Sequence, residues 1–219
     1  MISRLPKWVE VGAFILVLNA GFINAIGLLG FDHQAVSHVS GTATLLGSHL
    51  YAGSMFDSWH LTGVLFSFLM GSVTVGFLLH NSTLKLGRHY DTVLILESGL
   101  LILSFIFLID GQYMGHFFAS AACGLQNAMV TTYSGAIIRT THVTGVFTDL
   151  GLMLGAVVRG EPFDRRKMTL FLIIIVGFIV GGFLGAWAFQ HWDLLSILWP
   201  AGLCFMLALV YRLFANMTK

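Results

Sequence analysis

The chain has 219 residues, of which 57% are hydrophobic and 10% are charged, and its mean hydropathy is +0.86. A soluble domain normally carries roughly 25% charged residues, so this composition excludes an ordinary soluble enzyme or binding module. The net charge of +1 is uninformative about nucleic acid, but no basic stretch alternates with aromatic residues, so nucleic acid is not an expected partner. The expected partner is the lipid bilayer, around a single membrane domain.

Six apolar runs along the chain are long enough to cross the hydrocarbon layer, which takes about 20 helical residues. Two shorter segments, Val36–Tyr51 and His142–Val158, are richer in His, Ser, Thr and Gly. Each is predicted either as a poor additional span or as a half-helix that enters and leaves the membrane on one side. The six predicted transmembrane helices are Val9–Leu29, Leu61–Leu79, Thr92–Ile109, Gly115–Ile138, Met168–Phe189 and Leu194–Leu213.

The positions of the basic residues favour six spans over eight, because cytoplasmic loops collect Lys and Arg. Six spans with a cytoplasmic N-terminus place all 11 Lys and Arg residues inside. Eight spans would move Lys85, Arg88 and Arg139 outside. The predicted fold is therefore an all-α integral membrane protein with six transmembrane helices plus two re-entrant half-helices. Both termini are expected in the cytoplasm of a bacterial inner membrane.

The two polar segments carry a repeated motif, since SHVSGTATLLG at 37–47 returns as THVTGVFTDLG at 141–151. Just before them, GFINA at 21–25 returns as GLQNA at 124–128, 103 residues later. Further along the chain, glycines of two later spans align at a separation of 106 residues, among them Gly71 with Gly177.

We therefore predict two copies of one unit, about 9–110 and 113–213. Each copy holds three spans, and three is odd, so the second copy must face the opposite way. The predicted arrangement is a 3+3 inverted repeat, which transporters and channels often use, with their sites at the membrane midplane where broken helices meet.

If both half-helices begin near the midplane, their N-termini converge there. Each N-terminus offers unpaired N–H groups and about half a positive charge, which favours an anionic or neutral solute. His38 and His142 fall in the first turns, and Gly41 and Gly145 allow close approach by a neighbouring helix or a solute. The candidate substrate-binding residues are Asn24, His38, Ser40, Gly41, Thr44, Gln126, Asn127, Thr131, His142, Thr144, Gly145, Thr148 and Asp149.

Several of these residues have a simpler interpretation. Amide and hydroxyl side chains in membranes often only join helices to one another. Asp149 is interpreted either as a functional intramembrane carboxylate or as a solvated group near the cytoplasmic mouth. Glu97, in the third span, either reaches towards Lys85 or Arg88 or takes part in proton coupling.

The stretches NAGFINAIGLL (19–29), HVSGT (38–42) and GLQNAMVTTYSGAIIRTTHVTGVFTDLG (124–151) resemble the YoaK-like family of bacterial polytopic inner-membrane proteins of unknown function. The likeness covers nearly the whole chain, and the last stretch is the most specific. The resemblance implies about six spans and supplies neither a substrate nor catalytic residues.

The leading functional hypothesis is a transport protein, either a channel or a secondary carrier, for a small polar solute that is anionic or neutral. Two alternatives stay open: a membrane-embedded enzyme and a non-transporting membrane partner protein. The sequence has no H-E-x-x-H, no G-x-S-x-G and no close set of His and carboxylate ligands. An enzyme is therefore not the expected class, and no cofactor or metal is expected. A homodimer is expected because six short spans make a small body.

Overall fold

The computed structural model describes residues 7–30, 36–79, 89–134 and 140–217, and all regular structure within these ranges is helical. This confirms the predicted all-α class. A short 3₁₀ helix, Asp193–Ile197, joins the last two α-helices. The α-helices are α1 (Lys7–Gly30), α2 (Val39–Ala52), α3 (Met55–Leu78), α4 (Tyr90–Ile109), α5 (Met114–Ser134), α6 (Val143–Val158), α7 (Arg165–Trp192) and α8 (Leu198–Met217).

Four stretches of the described chain are long and apolar enough to cross a membrane. The last of them is 49 residues long and contains both α7 and α8. The chain is therefore a membrane protein. The four stretches are Glu10–Gly30, Met55–Leu78, Tyr90–Ile109 and Arg165–Leu213.

Helix α5, which lies in the predicted span Gly115–Ile138, is not among these stretches. It is 21 residues long and carries buried polar side chains, including His116, Ser120 and Gln126. It packs on α3 and α4, and only its first residue, Met114, is exposed. Because other helices pack on α5, its side chains need not be as apolar as those of a helix that faces lipid. Residues 135–138 of the predicted span lie outside the described residues.

The largest difference from the predicted boundaries is at the start of α3. This helix begins at Met55 rather than at Leu61. Ser54 caps it, because the Ser54 hydroxyl oxygen accepts a hydrogen bond from the backbone N–H of Asp57 at 3.1 Å. The start was not predicted because Asp57, Ser58 and His60 interrupt the first two turns, so the continuous apolar run begins only near Leu61.

The start of α8 also differs, because the predicted span begins at Leu194 and the α-helix begins at Leu198. The residues between α7 and α8 form the 3₁₀ helix, in which the Ser196 hydroxyl donates to the backbone carbonyl of Asp193 at 2.6 Å. A tighter helix of this kind is common as a connector.

Helices α1 and α7 pack in parallel, with their backbones in contact. Gly181 lies against the carbonyl of Leu18, and Gly185 lies against the carbonyl of Phe22. The contacts advance in the same direction along both helices. A Cβ at either glycine would overlap the partner's backbone, so only glycine permits this approach.

Helices α3 and α5 pack in the same manner. Gly71 lies against the carbonyl of Ala121, and Gly124 lies against the carbonyl of Phe68. Between α1 and α7, Gly21 likewise lies against the carbonyl of Phe178. By these contacts Gly71 corresponds to Gly181, one helical turn beyond the Gly177 that the sequence comparison paired with it.

Helix α4 runs antiparallel to both α5 and α8. The Ser104 hydroxyl, late in α4, donates to the carbonyl of Gly115 at the start of α5, at 2.8 Å. Asp91, at the start of α4, pairs with Arg212 near the end of α8, with 4.0 Å between Oδ2 and Nε. Helices α1, α4 and α7 therefore run one way, and α3, α5 and α8 run the other way.

Charge divides between the two ends of this bundle. We call the end where α1, α4 and α7 begin the basic end. Every Lys and Arg of the described ranges lies there, and Arg166 pairs with Glu10 across α7 and α1, with 3.4 Å between Nε and Oε1. We call the opposite end the acidic end, because the described residues there include Asp57, Asp110 and Asp193 but no Lys or Arg.

The two short helices lie beside the bundle. Helices α2 and α6 have 14 and 16 residues, which is roughly 21 and 24 Å at 1.5 Å per residue, less than the hydrocarbon core of about 30 Å. Helix α2 packs mainly on α3, and α6 packs on α7. Each short helix ends where the following long helix begins.

The glycine contacts predict a position-specific effect of an added methyl group. The substitution Gly71→Ala is expected to lower the free energy of unfolding by about 1–3 kcal/mol, because the new Cβ overlaps the Ala121 carbonyl and must push α3 away from α5. Thermal unfolding in detergent micelles measures the change.

The matched control on the same helix is Gly76→Ala, because an added Cβ at Gly76 meets nothing within 4 Å. This variant is expected to be neutral or slightly stabilising, since alanine is the better helix former. Equal losses in the two variants would contradict the assigned packing.

Candidate functional site

Helix α2 begins inside the bundle. The Ser37 hydroxyl, just before α2, donates to the Asn24 side-chain oxygen on α1 at 2.7 Å. The Ser120 hydroxyl oxygen on α5 lies 2.8 Å from the carbonyl oxygen of Val64 and 3.2 Å from that of Val36, so these two acceptors share its one O–H group. These partners lie within α1, α3 and α5 rather than at their ends, so the N-terminus of α2 lies below the acidic-end surface.

The glycine of each repeated motif makes room for the histidine of the same motif. A Cβ at Gly41 would lie 2.7 Å from Nδ1 of His38, and a Cβ at Gly145 would lie 2.6 Å from Nε2 of His142. Each imidazole therefore lies over the first turn of its half-helix. In this conformation the imidazoles therefore fill the space at the two glycines, and the approach of a solute to them stays a prediction.

One threonine hydroxyl at matching positions of each motif donates within its own helix. Thr44 donates to the carbonyl of Ser40 at 3.0 Å, and Thr148 donates to the carbonyl of Thr144 at 3.0 Å. On α5, Thr131 donates to the carbonyl of its own helix one turn earlier. Such bonds to the residue four positions earlier satisfy a hydroxyl that has no water nearby. Each hydroxyl oxygen keeps the capacity to accept a bond.

The predicted site residues fall into two groups rather than one shared cluster. The start of α2 contacts α1, α3 and α5, whereas α6 packs on α7 near the basic end. His38 and His142 are both exposed. Asp149 is exposed as well, and both of its interpretations stay predictions.

A second polar group, which we call the central cluster, lies in the interior and consists of Asn19, Glu97, Gln126 and Cys204. The Asn19 amide nitrogen is 3.4 Å from Oε1 of Glu97, 3.0 Å from Oε1 of Gln126 and 3.3 Å from Sγ of Cys204. The Gln126 amide donates to the Leu16 carbonyl at 2.8 Å. Four helices, α1, α4, α5 and α8, contribute one side chain each, near their midpoints.

The central cluster is closed to solvent. Its members are 0–1% exposed. Two clusters of buried apolar residues lie above and below it. The basic-end cluster includes Val17, Val93, Leu125 and Ile174. The acidic-end cluster includes Ile26, Leu101, Ala122 and Ile197.

Only part of this cluster was predicted from the sequence. Gln126 was a predicted site residue and Glu97 a candidate for proton coupling, whereas Asn19 and Cys204 were not predicted as site residues. Instead of reaching towards Lys85 or Arg88, which lie outside the described residues, Glu97 points into the interior. The signal available in the sequence was an amide and an acid, Asn19 and Glu97, each near the middle of an apolar run.

A histidine pair near the acidic end was also missed. Nε2 of His60 on α3 lies 2.9 Å from Nδ1 of His116 on α5, and both rings are buried. The ring of Tyr113 packs on His60 with 5.1 Å between centroids. This pair joins α3 to α5 close to the acidic-end surface, away from the central cluster.

The helical bundle with its sealed polar interior defines the class: an all-α membrane protein. The chain belongs to the family described as "Protein of unknown function (DUF1275)", whose family-level comparison matches residues 12–210. The match covers the central cluster and both repeated motifs, and it confirms a family of unknown function. No curated protein and no solved structure matches the chain.

The hydrogen bonds of the central cluster predict that Asn19→Leu lowers the free energy of unfolding, although leucine and asparagine have similar volumes. The leucine has similar volume but no N–H, so Oε1 of Gln126 and Oε1 of Glu97 lose a buried donor. A buried polar group left without a partner costs about 1–3 kcal/mol. Chemical unfolding in detergent, followed by circular dichroism, measures the loss.

The control is Asn24→Leu, which removes a single bond to a hydroxyl that can rotate to another partner. Its expected cost is about 1 kcal/mol or less. A cost for Asn24→Leu as large as that for Asn19→Leu would contradict the assignment of the central cluster as the main polar contact between α1, α4, α5 and α8.

Proposed function

We propose that the chain is a membrane transport protein for a small polar solute, anionic or neutral. The observation that carries the proposal is the position of the first half-helix, whose N-terminus begins inside the bundle beside Asn24 and Ser120. Backbone that leaves helical structure at membrane depth is tolerated only within protein or beside water. A helix that starts there offers its unpaired N–H groups to a bound solute.

We further propose that α1, α3, α4, α5, α7 and α8 are the six transmembrane helices and that α2 and α6 are re-entrant. The alternation of helix directions supports this arrangement, since the three long helices of each half run opposite to their counterparts. The glycine contacts between α1 and α7 and between α5 and α3 support a 3+3 inverted repeat, because the two pairs of helices pack in the same way.

The charge distribution supports the proposed orientation. Cytoplasmic loops collect Lys and Arg, and the described Lys and Arg residues all lie at the basic end. The basic end is therefore proposed to be cytoplasmic, with both termini there, in a bacterial inner membrane. The first half-helix would then enter from outside and the second from the cytoplasm.

The proposed solute contacts are the residues of the two motifs and of the spans preceding them. The imidazoles of His38 and His142 cover the two half-helix N-termini in this conformation, so a solute must displace them or bind against them. Two apolar clusters seal the interior between the half-helices. These barriers favour a carrier that opens to one side at a time over a continuous channel.

The proposed topology predicts which side of the membrane each loop faces. Single cysteines are introduced by Ser54→Cys, His89→Cys, Gln112→Cys and Glu161→Cys and labelled with an impermeant thiol reagent in intact cells. Positions 54 and 112 are expected to label from outside, and positions 89 and 161 only after the membrane is opened. The native Cys123 and Cys204 are buried and serve as an unlabelled background.

Eight full spans would reverse this pattern at positions 54, 89 and 112. Labelling of position 89 in intact cells, with position 54 protected, would therefore contradict both the re-entrant half-helices and the inverted repeat.

The transport function predicts solute flux that depends on the two motif histidines. Protein reconstituted in lipid vesicles is tested with a panel of small anions and neutral polar solutes. The substitutions His38→Ala and His142→Ala are each expected to reduce the flux of the carried solute about tenfold, since a hydrogen bond to a charged group contributes about 1.5–3 kcal/mol and 1.4 kcal/mol is tenfold in affinity.

The matched control is His191→Ala, whose exposed ring packs on Trp187 near the end of α7. This variant is expected to keep wild-type flux. Folded, correctly oriented protein that passes no member of the panel would contradict the transport function.

A further inference from the structure

The carboxyl group of Glu97 lies in the middle of the bundle without a cation. Glu97 is 0% exposed. Within the described residues it forms no ion pair. Oε1 receives a long hydrogen bond from Asn19 at 3.4 Å, and Oε2 has no hydrogen-bond partner. One carboxyl oxygen is thus left with no compensation for its lost hydration.

The groups that face Glu97 from the neighbouring helices are neutral. Helix α8 brings the thiol of Cys204, which shares a hydrogen bond with the carboxyl group, and α5 brings the thiol of Cys123 and the amide of Gln126. Helix α1 brings the amide of Asn19. The charged residue nearest along α4 is Asp91, at the basic end, where Nε of Arg212 lies 4.0 Å from Oδ2 of Asp91.

An ionised carboxylate at this position is strongly unfavourable. Burial of an unpaired charge costs several kcal/mol even after the surroundings relax, and an ionisable residue inside a membrane marks a functional pathway more often than a structural contact. The neutral acid avoids this cost. Its O–H group can donate, and the carbonyl oxygen still accepts from Asn19.

We propose that Glu97 is a proton-binding site, which holds a proton while both apolar clusters are closed and exchanges it when one of them opens. On release, the O–H bond breaks, the electron pair stays on the carboxylate oxygen, and the proton passes to water admitted from the open side. Binding from the other side reverses the step. The coupling of this exchange to solute movement rests on the transport function proposed above, whereas the presence of the proton does not.

The composition of the chain permits a direct test, because it has only three glutamates, Glu10, Glu97 and Glu161. The other two form ion pairs with Arg166 and Arg159. Infrared spectra of the full chain in lipid vesicles at neutral pH, with and without ¹³C-labelled glutamate, separate glutamate carboxyl bands from aspartate bands. We expect one neutral-acid glutamate band per chain.

The variant Glu97→Gln is expected to remove this band entirely and to remain folded, because glutamine is a neutral group of the same size. The control Glu10→Gln is expected to leave the band unchanged. A wild-type spectrum without a neutral-acid glutamate band would overturn the proposal, and the labelled wild-type protein decides this even if the variant does not fold.

Flux measurements in the same vesicles distinguish a failure of this proposal from a failure of the transport function. For any solute of the panel that is carried, an inward proton gradient is expected to change the flux in wild type and in Glu10→Gln but not in Glu97→Gln. An equal response in Glu97→Gln would overturn the coupling. A neutral Glu97 in protein that carries no solute would contradict the transport function and leave the proton site in place.

Discussion

Backbone contact at glycines is the constraint on which the rest of the bundle depends. Gly181 brings α7 onto α1, and Gly71 brings α3 onto α5, at distances that exclude any side chain. These two seams set the depth of α1 and α5 relative to their neighbours. Asn19 and Gln126 lie on those two helices, and their amides meet at 3.0 Å in the centre of the bundle.

The sequence was sufficient to predict the helical class, the approximate helix positions and the family of unknown function, because these follow from long apolar runs and distinctive motifs. The predicted start of α3 was wrong, because polar residues interrupt the two turns that follow the Ser54 cap and precede the apolar run. The sequence comparison also paired Gly71 with Gly177 rather than with Gly181, since the spacing of glycines along a helix allows a shift of one turn and only the contacts distinguish the two registers.

The central cluster was harder to predict, because the comparison between repeats selects residues that occur twice. By the same alignment that pairs Gly21 with Gly124, the position of Asn19 matches Ala122 in the second copy, and Gln126 matches Ile23. A side chain present once carries no repeat signal. Glu97 stood out as a lone acid in an apolar run, but its orientation depends on how α4 is rotated against α1 and α8, which the sequence alone does not show.

The enclosure of α5 has a consequence for how the chain is built into a membrane. A segment with buried polar groups such as His116 and Gln126 gains little by contact with lipid tails. In the proposed topology, α5 enters the bilayer alongside segments already inserted, and α3 and α4, which precede it in synthesis, are the helices that pack on it. In that topology, the order of the helices along the chain provides protein contacts for α5 before the ribosome delivers it.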